Sequence, residues 1–348
     1  MPFGMMKGTW WKIDLAQHEV VLLLVIVVEI LLFQILGRNF LTGGNVSNVF
    51  RHSVEIGLLA LAMTPVVLSG GIDLSVGSMV GLCAVVFGIL VKSLGFDPWV
   101  AAALAIGCGA AGGWLNGVLV AGFKLPPLIV TLGTFSLFRG LAEALTKGSE
   151  SYSGFSESFL ALGNSEIAGI PIQALVFLPI AFLIWFLVHR TTYGRSLRVI
   201  GFAEEGAVYA GLPVKRNVGA AYMMAGAVAG LAAVILVARL GEARANAGTG
   251  YELLAITAVV LGGVSIFGGT GNVAGTLLGW IALAILNNGL TRISDYEIFG
   301  EKVSSVAREL SGLLTGLLLL TALAMGIFTK MLAVRRARKQ ALPNPTSS

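Results

Sequence analysis

Residues 66–78 read VVLSGGIDLSVGS, and this stretch decides how the chain has to fold. An apolar run stops at Ser69-Gly70-Gly71, a single aspartate follows, and apolar residues then resume. If the flanking runs lie in lipid, Asp73 costs about 2.5–3.5 kcal/mol there. Backbone at membrane depth can leave the helical form only where protein surrounds it or where it lines an aqueous cavity. We therefore expect a helix break in a protected, polar place.

The composition of the chain indicates that those runs do lie in a membrane. Of the 348 residues, 56% are apolar and only 12% are charged, whereas soluble domains carry about 25% charged residues. Because a membrane helix needs about 20 apolar residues, we predict an all-α integral membrane protein, a polytopic bundle of about ten transmembrane helices in a single domain, residues 1–348. The predicted spans lie near residues 20–36, 54–69, 76–93, 98–121, 127–146, 170–188, 218–238, 250–264, 272–289 and 305–328.

The charges between the runs predict the orientation of the bundle. Residues 147–169 are rich in serine and glycine and carry three glutamates against one lysine, so we expect them outside. Residues 189–217 and the tail 330–348 each carry five basic residues, which predicts that both are cytoplasmic. Even numbers of predicted spans flank the loop 189–217, so both termini are expected inside. We interpret the basic tail as an orientation signal attracted to anionic membrane lipids, and we expect no nucleic-acid partner.

Motifs for catalysis and cofactor binding do not occur in the sequence. It contains no P-loop and no H-E-x-x-H or G-x-S-x-G pattern. The segment GTGNVA at 269–274 fits the loose dinucleotide pattern, but it joins two predicted spans instead of a strand and a helix. Cys83 and Cys108 lie in apolar runs without metal-ligand spacing, and we interpret them as small buried residues. We therefore predict no catalytic residue, metal site or cofactor in this chain, and an enzyme is disfavoured.

The pattern of the opening stretch occurs a second time. VVLSGGIDLSVGSMVG at 66–81 parallels VVLGGVSIFGGTGNVAG at 259–275. Interrupted segments at corresponding places of two halves are typical of a transport site, so we predict two related halves. The predicted helix breaks are at Gly70, Gly71, Gly262 and Gly263.

Glycines also recur at four-residue spacing inside the predicted spans. Small residues on one face let membrane helices approach closely, so these faces are expected to contact other helices. The glycines concerned are Gly109, Gly113 and Gly117, then Gly226 and Gly230, then Gly271, Gly275 and Gly279.

Three segments together resemble the membrane permeases of bacterial ATP-binding-cassette (ABC) sugar importers. They are GGIDLSVGS at 70–78, TLGTFSLFRGLA at 131–142 and AGTGYELLAITAVVLGGVSIFGGTGNVAGTLLG at 247–279. The resemblance runs from about residue 20 to 325 and covers the ribose, xylose, arabinose, rhamnose and autoinducer type. It implies a bacterial inner-membrane subunit that passes a monosaccharide or sugar-like signal inward. It also implies three partners: a second permease subunit, a periplasmic sugar-binding protein, and a cytoplasmic ABC ATPase that holds the ATP and Mg²⁺.

The resemblance assigns the contact with the ATPase to the stretch GFAEEGAVYAGLPV at 201–214. We expect a short helix from about residue 203 to 210 that Gly211 stops, and the alternative is a solvated amphipathic loop. The sequence departs from the family at Glu205 and Gly206, where relatives mostly have alanine. Because Gly206 costs about 1 kcal/mol of helix propensity, we expect the helix to form fully only on docking. The predicted coupling residues are Gly201, Ala203, Glu204, Glu205, Ala207 and Gly211.

Polar residues inside the predicted spans are the candidates for the translocation path. Sugars need hydrogen-bond donors and acceptors, and uncharged amides and hydroxyls bind them weakly enough for release. The candidates are Asp73, Ser75, Asn116, Thr257, Asn287 and Asn288, and each could instead serve a bond between helices. Asp73 could also cap the following helix or pair with a basic residue. We expect Glu252 on the outer side, and Glu29 is unexplained unless Lys124 or Arg139 is its partner.

Three rival functions are open from the sequence. An ion-coupled secondary transporter would work alone, but no cluster of mid-span carboxylates is present and the stretch 201–214 would lack a purpose. The others are a structural subunit of another membrane complex and an ABC permease for another small polar solute, such as a branched-chain amino acid. The particular sugar, and whether the permease pair is homo- or heteromeric, stay open.

Overall fold

The computed structural model describes residues 10–37, 40–292, 297–298, 301–302, 312–313 and 316–317, and within them the chain is mostly helical. The helices are α1 Trp10–Leu36, α2 Gly43–Leu68, α3 Val76–Lys92, α4 Pro98–Gly117, α5 Pro127–Leu145, α6 Glu157–Asn164, α7 Ile172–Arg190, α8 Thr192–Phe202, α9 Glu204–Tyr209, α10 Val214–Leu240, α11 Tyr251–Leu261 and α12 Val273–Arg292. A π-helical turn, Val118–Gly122, extends α4. The strands are two-residue pieces: β1 Tyr152–Ser153, β2 Glu166–Ile167, β3 Ile170–Pro171, β4 Glu242–Ala243, β5 Glu297–Ile298 and β6 Glu301–Lys302.

The lengths of the helices fit an all-α membrane protein. Among the described residues, seven helices are long and apolar enough to cross a membrane, and α3 and α11 are shorter apolar helices. At 1.5 Å per residue, α11 reaches about half of a hydrocarbon core that is about 30 Å thick. The predicted span 250–264 is thus only a partial crossing. The predicted tenth span, 305–328, and the tail 330–348 lie outside the described residues, apart from two short pieces of that span.

Helices α2 and α10 form the centre of the bundle. In the membrane-spanning part of α2, 83% of the residues are buried, against 17% for α1. α10 packs most extensively on α4 and also on α2 and α3, whereas α1 packs mainly on α12 at the edge. The central helices consequently position the polar residues, and the outer helices shield them from lipid.

Glycines bring α4 and α10 into backbone contact, as their spacing predicts. An added Cβ at Gly113 would lie 3.0 Å from Gly226 N, and one at Gly230 would lie 2.7 Å from Ile106 Cα. Without Cβ atoms on these faces the two helices dock closely, which replaces the hydrophobic drive that lipid does not supply.

The segment between α5 and α7, predicted as an outside loop, has structure of its own. β1 pairs antiparallel with β4, and β2 with β3. Phe155 and Phe159 pack on Phe87 of α3, with ring centroids 5.3 and 4.6 Å away. The segment therefore caps one end of the bundle and ties α3 to the end of α10.

Candidate functional site

The first helix break is held open by glycine and by local hydrogen bonds. α2 ends at Leu68 and α3 begins at Val76. Gly70 has φ +85°, a conformation that L side chains rarely adopt. Gly71 N donates to Val66 O at 3.0 Å, which closes the end of α2. The six residues that follow Ser69 therefore separate the two helices, and Gly71, Asp73 and Ser75 among them are buried in the bundle.

Asp73, Ser75 and Asn116 form one buried cluster in this break. Asp73 Oδ1 accepts from Ser75 N at 2.9 Å and from Ser75 Oγ at 2.6 Å. Asn116 Nδ2, on α4, donates to Ser75 Oγ at 2.8 Å. Asp73 is 1% exposed and has no salt bridge within the described ranges, which leaves the helix-start role or the solute-contact role and not a basic partner.

Two further groups border this cluster, and the sequence analysis did not single them out. Tyr222 of α10 is fully buried, and its hydroxyl lies so close to Gly71 that a Cβ there would collide with it. Neither Tyr222 OH nor Asn116 Oδ1 has a hydrogen-bond partner in the part of the chain that the structure describes. The sequence did offer a signal for Tyr222, because it is a tyrosine among the small residues of α10. The cluster therefore has spare polar atoms.

The other three candidate path residues bond to other partners. Thr257 Oγ1 donates to Leu253 O at 2.7 Å within α11, and Asn287 Nδ2 donates to Leu283 O at 2.9 Å within α12. Asn288 Oδ1 accepts from Asn45 Nδ2 of α2 at 2.9 Å, which is a bond between helices. These side-chain bonds do not involve Asp73, Ser75 or Asn116.

The second helix break touches the first. α11 ends at Leu261, Gly262 and Gly263 follow, and α12 begins at Val273. In the segment between them, Gly269 N donates to Leu68 O at 2.9 Å. The two glycine-rich breaks thus meet through their backbones.

Helix α8 packs directly on both breaks. Gly201 lies so close to Leu68 O, Gly268 and Gly269 that a side chain at this position would collide with their backbones. Arg198 Nη1 donates to Val188 O at 2.9 Å, and His189 Nε2 accepts from Val273 N at 3.2 Å. The predicted coupling loop 189–217 is thereby joined to the ends of α2 and α7 and the start of α12.

The short helix predicted for coupling is present as α9 and is shorter than the predicted 203–210. It is helical in this chain without a docked partner. Ala203 is the extended residue before it, and Gly211 follows it with φ +74°. Glu204 and Glu205 are exposed in its first turn, whereas Ala207 is fully buried against its own chain. The sequence analysis missed two large exposed side chains beside it, Phe202 at 78% and Tyr209 at 91%. The free face is therefore apolar as well as acidic.

Three further acidic side chains lie outside the Asp73 cluster. Glu55 of α2, which the sequence analysis did not single out, is fully buried and forms a salt bridge with Arg239 of α10 at 2.9 Å. Glu252 lies in the first turn of α11, is 8% exposed and lies against Gly77 of α3, and its place on the outer side stays a prediction. Glu29 Oε2 has no partner among the described residues, so Lys124 and Arg139 are not its partners.

Comparisons with known proteins identify the family. Residues 45–323 match the family model described as "Branched-chain amino acid transport system / permease component". The chain is 35% identical over 307 residues to the "Autoinducer 2 import system permease protein LsrD" of Escherichia coli (strain SMS-3-5 / SECEC), across 87% of this chain and 89% of that protein. The LsrD proteins of Escherichia coli (strain K12) and Shigella flexneri match with the same identity and coverage. No solved structure matches the chain. The resemblance seen in the sequence is thus confirmed, and the chain belongs to this family of importer permeases, as a multi-pass membrane subunit of a transport system and not an enzyme.

Proposed function

We propose that this chain is the permease subunit of an ABC importer that carries a monosaccharide or a sugar-like signal across a bacterial inner membrane. One observation carries the proposal: the segment expected to meet the ATPase packs on the two helix breaks, and one break holds the buried Asp73 cluster. Gly201 joins the two regions through close backbone contacts with Leu68 and Gly268. A displacement of α9 would consequently be transmitted to the polar cluster through backbone contacts, without a long series of side-chain contacts.

The proposed topology has about ten membrane segments, of which α11 is a partial crossing, in two related halves, with both termini in the cytoplasm. The paired breaks after α2 and α11 support two halves. The loop 189–217 would then be the cytoplasmic coupling loop, and the basic tail 330–348 would lie against anionic lipid. The whole chain, 1–348, would form a single permease domain.

The proposed cycle uses a second permease subunit, the ATPase and a periplasmic binding protein. ATP and Mg²⁺ would be held by the ATPase, because this sequence has no P-loop. Closure of the ATPase would move α8 and α9, and rigid-body rocking of helix groups would alternate access to the path. Exposed Tyr209 and Phe202 would fill apolar pockets on the ATPase, with Glu204 and Glu205 facing basic groups at the rim.

The proposed substrate class rests on the cluster and on the relatives. The LsrD proteins are described as permeases for autoinducer 2 import, whereas the family description mentions branched-chain amino acids. Hydroxyl and amide groups predominate around Asp73, and they suit a neutral polyhydroxy solute. The alternatives are an ABC permease for another small polar solute and an ion-coupled secondary transporter.

Co-purification tests the proposal. The chain, tagged at its C-terminus, is extracted from its native membrane in mild detergent, and the bound proteins are identified by mass spectrometry. We expect an ATPase to co-purify with the wild-type chain and to be lost from the Glu204→Arg and Tyr209→Ala variants. The Glu157→Arg variant should retain it, because Glu157 is exposed on α6, away from α9. Whether one permease chain or two are recovered distinguishes a homodimer from a heterodimer.

A different result would favour the rival transporter. If no ATPase co-purifies and the purified chain moves solute in vesicles without ATP, the importer proposal is wrong. If an ATPase binds equally to all three variants, α9 is not the coupling helix.

A further inference from the structure

Arg139 lies inside a predicted span and anchors an irregular segment of backbone. It is on α5, which packs mainly on α3. Its Nη1 donates to Ala245 O and, at 3.3 Å, to Ala247 O. These carbonyls belong to the segment between β4 and α11, which contacts the first two turns of α3. A charged side chain at this depth is a functional candidate, since its burial is costly.

Two glycines of α3 make room for this arrangement. A Cβ at Gly81 would lie 2.8 Å from Arg139 Nη1 and 3.0 Å from Ala247 O. A Cβ at Gly77 would collide with the Glu252 carboxylate. On the face of α3 that follows the Asp73 break, Arg139 therefore lies against the backbone of Gly81, and Glu252 lies against the backbone of Gly77.

Each of these charged side chains has a buried atom without a partner. Arg139 Nη2 and Glu252 Oε2 make no hydrogen bond to the described residues. The two side chains interact electrostatically, but no direct salt bridge within the described ranges joins them. An unmatched buried donor or acceptor costs about 1–3 kcal/mol, and more when it is charged. Both atoms therefore have hydrogen-bonding capacity that a further polar group can satisfy.

The free atoms limit which polar groups can bind. Arg139 Nη2 carries N–H donors and Glu252 Oε2 is an acceptor, so a hydroxyl group can accept from the one and donate to the other. An amino-acid zwitterion can also pair with them, through its carboxylate on Arg139 and its ammonium on Glu252. The choice of a hydroxyl therefore follows from the proposed sugar-type function, and leucine is the competing solute in the test.

We propose that Arg139 and Glu252 form a binding site for a hydroxyl group of the transported solute, next to Gly77 and Gly81 on α3. The site deepens the proposed function and depends on it. Gly77 is the second residue of α3 and follows Asp73 of the helix break by four positions in the sequence. Exposed Asn246 and Thr249 lie on the same segment and give the solute a polar approach. A solute would pass from the Arg139 and Glu252 site to the Asp73 cluster.

The test uses the complete transport complex, with its ATPase and binding protein, in proteoliposomes. Uptake of radiolabelled ribose, xylose, arabinose, rhamnose, autoinducer 2 and leucine is measured together with ATP hydrolysis. The variants are Arg139→Lys, which keeps the charge but loses the planar fork, and Glu252→Gln. The matched controls are Arg244→Lys and Glu242→Gln. These two residues form an ion pair beyond the end of α10. The hydrogen bond from Arg244 lowers the pKa of Glu242.

We expect uptake of the transported sugar per ATP hydrolysed to fall at least tenfold in both variants and to stay within twofold of wild type in both controls. Unchanged uptake in Arg139→Lys and Glu252→Gln would overturn the site. So would a parallel loss of uptake and ATP hydrolysis, which indicates a purely structural role. If the wild-type complex transports leucine and both variants lose that transport, the site binds an amino-acid zwitterion instead of a hydroxyl group. A wild-type complex that moves none of these solutes would instead defeat the proposed function itself.

Discussion

At the scale of single residues, Asp73 is held by its neighbours and not by a counter-charge. It accepts two hydrogen bonds from Ser75, one from the backbone and one from the hydroxyl. Such local bonds let a carboxylate remain in an irregular stretch of backbone inside the bundle. The cluster also holds the unpartnered atoms Asn116 Oδ1 and Tyr222 OH.

Replacing Asp73 with asparagine separates charge from local structure. The amide oxygen of asparagine can still accept from Ser75, so we expect Asp73→Asn to reach the membrane within twofold of wild-type levels. Because the charge that orients the cluster is lost, uptake should fall about tenfold, which corresponds to about 1.4 kcal/mol. Uptake per unit of protein, quantified by immunoblot, checks this.

The control for this substitution is Asp97→Asn. Asp97 caps α4 by accepting from Trp99 N at 2.9 Å, but it is exposed. Wild-type uptake by the Asp97 variant is expected. Wild-type uptake by Asp73→Asn would show that Asp73 is not part of the proposed translocation path.

At the scale of elements, α8 joins the predicted coupling loop to both helix breaks. The contact depends on bare backbone, because Gly201, Gly268 and Gly269 approach too closely for side chains. Packed backbone deforms little, so displacement of α8 has to shift Leu68 and the second break with it. This rigidity is what a coupling element requires.

A methyl group at Gly201 should damage this contact. In Gly201→Ala, the new Cβ meets Leu68 O and Gly269 N, both backbone atoms that cannot move aside cheaply. We expect ATP hydrolysis by the complex to continue while uptake per ATP falls at least fivefold. Parallel assays of both rates on the reconstituted complex provide the measurement.

Gly206→Ala is the matched control. The nearest atom to an added Cβ there is Ala203 Cβ at 3.6 Å, which is ordinary contact. Alanine is favoured in a helix over glycine by about 1 kcal/mol, so α9 should be unaffected or slightly more stable. Equal behaviour of the two glycine variants would contradict the coupling role of Gly201.

At the scale of the whole molecule, a buried ion pair connects the two central helices. Glu55 on α2 and Arg239 on α10 are joined at 2.9 Å, and His52 Nδ1 lies 3.1 Å from Arg239 Nη1. Trp280 of α12 adds a hydrogen bond to Ser53 O at 2.8 Å. Polar contacts therefore tie α2 to α10, near the C-terminal end of α10, and to α12.

Removing one partner of this pair should destabilise the protein. A buried charge left unpaired costs about 3–5 kcal/mol, so Glu55→Ala should lower the midpoint of thermal unfolding in detergent by several degrees. Glu166→Ala breaks the exposed pair with Arg51, for which about 0–1 kcal/mol is expected. A fluorescence melting curve of each purified variant compares them, and equal midpoints would show that the Glu55 pair adds nothing.

The sequence by itself determined the all-α membrane class of the protein, most of its long helices and the two places where they break. Apolar length specifies membrane helices, and paired glycines interrupt them, because both effects are local. The family followed from contiguous segments such as GGIDLSVGS, and the comparisons confirmed it.

Only the tertiary structure decided which polar residues meet. It joined Asp73 and Ser75 to Asn116, gave Thr257, Asn287 and Asn288 other hydrogen-bond partners, and placed Glu252 against Gly77. It also showed that α11 is too short to cross a membrane and that α8 rests on both breaks. The physical reason is that such contacts join residues from 40 to more than 200 positions apart. They depend on how close two backbones can come, which no single stretch of sequence encodes.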